Sequence, residues 1–164
     1  MDPQLARSEY RIEKRRTDAV VTLVTNETVH GCLFTAAGSA HGTGAERIGD
    51  LLNSEPGFFP FEIHEAGGNS TVQYNRSHVV VVRVLDDEAR RDAGYAVARS
   101  QAVSLLLTNG QRIEGEVRVY RPEGRTRTSD WTRQPEVFRY VEARDGTYIV
   151  NAAHIVAVTE VSGS

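Results

Sequence analysis

The sequence of 164 residues predicts an all-β fold that is built twice over. Three observations carry that expectation. First, Asn75-Arg76-Ser77-His78 runs into Val79-Val80-Val81-Val82, and Asn151-Ala152-Ala153-His154 runs into Ile155-Val156-Ala157-Val158. In both places a polar turn feeds a mainly β-branched run, the pattern of a largely buried strand. Second, four strand-like segments precede each of these runs in the same order. Third, Gly31 and Gly115 hold the same place in the second segment of each half. Glycine inside a strand marks a sharp bend or a close backbone approach.

The elements follow in order. Residues 1–16 are polar, with Asp2-Pro3 suited to a helix start and the bases from Arg11 to Arg16 suited to its last turn. The first five-stranded unit spans residues 17–85. Val20–Val24 and Val29–Phe34 form a hairpin across Thr25-Asn26-Glu27-Thr28, and Ala36–Gly49 is a glycine-containing polar loop. Phe58–Ile63, Thr71–Tyr74 and the valine run supply strands three to five. Residues 86–99 are a charged linker, read as a short helix from Asp86 or Asp87 ended by Gly94, then a strand. The second unit spans residues 100–161. Val103–Leu107 and Ile113–Val117 pair across Asn109-Gly110, both of which accept positive φ. Arg121–Ser129 is a polar loop, and Val137–Val141, Thr147–Val150 and the Ile155 run complete the set.

Composition narrows the function classes. Forty per cent hydrophobic and 25% charged residues are ordinary for a globular chain. No apolar run approaches the ~20 residues of a membrane-spanning helix. The N-terminal Met1-Asp2-Pro3-Gln4-Leu5 lacks the order of a secretory signal, so a cytoplasmic protein is expected. The net charge of −3 argues against a dedicated nucleic-acid binder. Cys32 is the single cysteine, which excludes an internal disulfide and reads as a small apolar filler.

Five strands per unit, the strand-two glycine and the short turn before strand five together resemble the Sm-like (LSm) small β-barrel family. Uncharacterised bacterial members are nearer than the RNA chaperones. The resemblance implies two tandem five-stranded barrels with short N-terminal and linker helices. Gly31 followed by Asp50 and Asn53 is similar to the family's first motif; after Gly115 and Asp130, Arg133 stands where the asparagine would. Arg76 keeps the base of the second motif. Assembly through sheet edges and a pocket for single-stranded RNA are what the family would imply.

The candidate residues fall into two groups. Asn75, His78, Asn151 and His154 read as turn formers, and a metal site is not expected, since no spacing gathers His30, His41 and His64. No nucleophile elbow or phosphate cradle is present, so no catalytic residue, cofactor or small-molecule substrate is expected. Arg121, Arg125, Arg127 and Arg133 beside Trp131 combine guanidinium forks with an aromatic face suited to phosphates and unstacked bases, with Asp50, Asn53 and Arg76 as accessories. The expected function is a non-enzymatic assembly module with a protein partner or its own copies; the competing expectation is single-stranded RNA binding.

Overall fold

The computed structural model describes residues 14–37, 45–120 and 128–162. Its strands are β1 (Lys14–Leu23), β2 (Thr28–Ala36), β3 (Phe58–Glu65), β4 (Gly68–Asn75) and β5 (Val79–Val84), then β6 (Arg99–Leu107), β7 (Arg112–Val119), β8 (Phe138–Ala143), β9 (Gly146–Asn151) and β10 (Ile155–Glu160). Two short helices, α1 (Ile48–Asn53) and α2 (Thr128–Thr132), precede the third strand of each half.

All ten strands lie in one antiparallel sheet, in the order β10-β6-β7-β8-β9-β5-β1-β2-β3-β4. The mainly β content agrees with the sequence; the two barrels, and with them the Sm-like resemblance in fold, do not survive. The reason is strand pairing. A strand has two hydrogen-bonding edges, and those of β5 are taken by β1 and β9. To close the first half, β4 would need the edge that β9 holds. To close the second, β10 would need the edge of β9 that β5 holds. Both β4 and β10 are therefore left as ends of an open sheet.

The duplication is nevertheless visible in the register. The β1–β2 hairpin turns through Asn26 at φ +69°, and the β6–β7 hairpin through Gly110 at φ +85°. The register of β5 on β1 slips so that Val80 is an extra residue, and that of β10 on β6 slips so that Val156 is. Such a bulge re-aims the side chain it carries. Each second strand shares a ladder with its third over two residue pairs only, Gly31 with Ile63 and Cys32 with Glu62, then Gly115 with Ala143 and Glu116 with Glu142.

Two apolar clusters form the core, and both cross the midline. The first joins Val21, Leu33, Ile48, Leu52, Phe59 and Phe61 to Phe138 and Ile149 of the second half. The second joins Leu105, Ile113, Val117 and Trp131 to Val80 and Val81 of the first. The valine run is buried along both sides because β5 is a central strand serving both clusters. The matching run in β10 is partly or fully exposed throughout, contrary to the buried strand expected there, because it lies at the edge.

Other expectations change locally. Lys14, Arg15 and Arg16 open β1 rather than closing a helix, held in register by pairing with Ala36, Thr35 and Phe34; residues 1–13 lie outside those described. The linker holds one 3-10 turn, Glu88–Arg91, in place of the longer helix, and β6 begins only at Arg99. Glu88 opens that turn with its side chain drawn inward to α1. Residues 38–44 and 121–127 of the two polar loops are outside the described residues. Among the described residues no helix is long and apolar enough to cross a membrane.

Candidate functional site

The seam where β9 meets β5 brings four of the singled-out residues together. Asn151 is buried there; its Nδ2 donates to the carbonyls of Val79 at 2.9 Å and Arg76 at 3.3 Å. Its Oδ1 accepts the Ala153 amide, closing the turn before β10. His154 lies 2.8 Å by Nε2 from the Ser77 carbonyl, which only accepts, so Nε2 carries the proton. In the neutral ring Nδ1 then accepts from the Thr108 hydroxyl at 2.9 Å. From α1, Asn53 bonds both backbone groups of Phe138, accepting its N–H and donating to its carbonyl, each at 2.8 Å. The seam thus has buried valines, two asparagines and a histidine spanning the halves.

The same residues recur at the free ends of the sheet. Asn75 accepts the Ser77 amide as Asn151 accepts that of Ala153, and the His78 carbonyl takes the Val24 amide as that of His154 takes Thr108. Phe58 lies opposite Asn75 on β4, as Phe138 lies opposite Asn151 on β9. Phe138 is 2% exposed and Phe58 61%. Val80 is fully buried, whereas Val156, at the matching bulge, is 61% exposed. Residues that the seam covers are the ones the free ends leave in solvent.

A cleft of about 670 Å³ opens beside the two helices, lined among others by Asp50, Asn53, Asp130, Trp131 and Arg133. It collects four of the eight residues named for RNA binding, Asp50, Asn53, Trp131 and Arg133. Asp50 accepts the backbone N–H of Arg47 at 3.0 Å and two guanidinium bonds from the same residue. Burial opposes both charges, but these bonds outweigh it and hold Arg47 above, and Asp50 below, their ordinary pKa. Arg76 is buried and lies outside the cleft lining; it donates to the carbonyls of Leu51, Leu52 and Phe58 and so closes the C-terminal end of α1. Arg139 does the same after α2, donating to Trp131, Gln134 and Glu136. Trp131 is buried beneath it, with the guanidinium carbon 5.4 Å from the ring centroid, and offers no free face for a base. Arg121, Arg125 and Arg127 lie outside the described residues.

Five of the six tyrosines are described, and each has a raised pKa. Burial is the first cause in every case, reinforced by Glu88 for Tyr140, Asp92 for Tyr120 and Glu142 for Tyr95. A phenol raised on folding stabilises the fold below its unfolded pKa of about 10, and this is lost as pH rises through the folded values. Melting temperature should therefore fall as pH climbs above about 10. Phenolate absorbance from these tyrosines should appear together with unfolding. Absorbance that rises fully near pH 10 while the far-UV spectrum stays native would refute this.

On the outer face of the sheet, the pairing of Cys32 with Glu62 gathers residues that no linear spacing connects. The ligand atoms of Cys32, Glu62 and His64 lie within 4.8 Å of one another. Cys32 is fully buried, as a small core filler would be, yet belongs to neither apolar cluster. Arg16 lies against its sulfur: the guanidinium pKa is raised first by hydrogen bonding and charge attraction to Cys32, then by Glu62. The signal in the sequence was the strand register alone, with Cys32 opposite Glu62 and His64 two residues further along the same face. No protein-family model, curated protein or solved structure matches the chain, so no relative ties it to the Sm-like family.

Proposed function

We propose that the chain is a non-enzymatic assembly module whose copies join head to tail, β10 of one against β4 of the next. What supports this is the repeat equivalence: the internal seam is a strand-five edge paired with a strand-four edge, and the sheet ends in one more of each. An unpaired strand edge is a template for another strand. Transferring the seam register, in which Val81, Val82, Arg83 and Val84 face Val150, Ile149, Tyr148 and Thr147, predicts Ala157, Val158, Thr159 and Glu160 facing Tyr74, Gln73, Val72 and Thr71 of the next copy. Val156 and Phe58 are then covered as Val80 and Phe138 are. Fully burying side chains of this kind contributes ~1.5–3 kcal/mol each.

The joint is weaker than the seam, because Glu160 replaces Val84 and Gln73 replaces Ile149. Assembly should thus be reversible and concentration-dependent. The joint uses two different surfaces, so it closes into rings or runs on as filaments.

Light scattering should give masses rising in multiples of the chain mass, unchanged by RNase. Val156→Lys and Phe58→Ser alter side chains exposed in the single chain, and each should leave it monomeric. Mixed together, the two variants retain one intact edge each and should form a dimer and nothing larger. A single-chain mass at every concentration, or mass that vanishes with RNase, would rule the proposal out.

A further inference from the structure

We infer that Cys32, Glu62 and His64 form a binding site for a zinc-class divalent cation on the outer face of β2 and β3. A thiolate, an imidazole and a carboxylate are the donors that borderline-soft cations select. Three protein ligands with a fourth position left to water is a common zinc arrangement. Tetrahedral coordination at usual bond lengths sets ligand atoms roughly 3.4–3.6 Å apart. The three donors lie within 4.8 Å of one another, so small side-chain rotations of His64 and Glu62 close the set. His64 is exposed and free to make that rotation, whereas Cys32 is fixed in the sheet.

The surroundings fit a ligand better than a packing residue. Cys32 is buried outside both apolar clusters, with the ligand atoms of Glu62 and His64 within 4.8 Å. Asn69 donates to Glu62 Oε1 at 2.8 Å, the kind of outer partner that orients a ligating carboxylate. Arg16 Nη2, 2.5 Å from the same oxygen, is the competitor: it neutralises the carboxylate when no cation is there. That side chain is 56% exposed, and an ion pair so open to water is readily given up. Binding replaces the guanidinium with the cation.

Cobalt(II) titration of the full chain tests this, followed by displacement with zinc(II). One equivalent should give a sulfur-to-cobalt charge-transfer absorption. His64→Ala, at an exposed position, should keep the native far-UV spectrum and weaken binding more than about 100-fold, beyond the range typical of an outer partner. Asn69→Ala should weaken it roughly 10- to 100-fold, and Arg16→Gln should tighten it. Cys32→Ser should abolish the charge-transfer band. Absence of that band in the unaltered protein, or undiminished affinity in His64→Ala, would overturn the inference, as would weaker binding in Arg16→Gln.

Discussion

Glu88→Ala is expected to lower stability by roughly 3–5 kcal/mol, the range for removing one partner of a buried charged network. Glu88 is fully buried, on a one-turn linker element that carries it to the start of α1. Its carboxylate accepts the N–H of Ile48 at 3.2 Å and of Gly49 at 3.3 Å, two of the donors a helix start leaves open. It also accepts the Tyr140 hydroxyl at 2.8 Å, from the other half of the chain, and lies 3.7 Å from Arg91. One side chain thus ties linker, helix and second half together. Alanine strands the Ile48 N–H and leaves Gly49 N–H only the Tyr140 hydroxyl at 3.1 Å; a buried donor left without a partner costs about 1–3 kcal/mol. With total stabilities of ~5–15 kcal/mol for a domain, a loss of that size moves the denaturation midpoint far. Glu88→Gln keeps an acceptor oxygen and should cost less than half as much. Urea unfolding of the three proteins measures the order. A loss under about 1 kcal/mol for Glu88→Ala would mean water reaches the helix start, contrary to this burial.

The strands were legible because their signals are local. Alternating apolar residues, the Asn109-Gly110 turn and the two Asn-x-x-His turns act over a few residues, and each of the ten strands overlaps the segment those signals mark, although β1 opens earlier, at Lys14. Closure was not legible. Alternation says which side chains share a face; it does not say which strand takes the free edge of β5. The better clue was that Val79, Val80, Val81 and Val82 leave no polar side, as a central strand requires. Family likeness misdirected the reading of Arg76, a base in the place of an RNA contact that proves to be buried against three backbone carbonyls. Its counterpart in the second half comes from β8 as Arg139, so matching the two turns residue by residue does not reveal it. Glu88 looked like one acid among many in a charged linker, because its burial depends on α1 and Tyr140, both distant in sequence.

Gly31→Ala is the substitution expected to damage the sheet most directly. A Cβ at Gly31 would stand 2.0 Å from the Glu62 carbonyl oxygen and 2.7 Å from the Phe61 ring. The nearest obstacle is backbone, so no rotamer relieves it; β2 and β3 have to part. They are joined by only two residue pairs, Gly31 with Ile63 and Cys32 with Glu62, and both are at the point of contact. Overpacking alone costs ~1–3 kcal/mol and more where nothing can move; with the ladder opened, about 3 kcal/mol or more is expected. Gly115→Ala provides the internal comparison. Its Cβ would meet the Glu142 carbonyl oxygen at 2.5 Å, a milder overlap, and the cost should be smaller. Thermal melts of the two variants give the ranking, and equal losses would refute it. Parting β2 from β3 also separates Cys32 from Glu62, so Gly31→Ala should lose cobalt binding while Gly115→Ala keeps it. A Gly31→Ala protein that melts normally and still binds cobalt would show that the tight strand contact is not what holds these residues together.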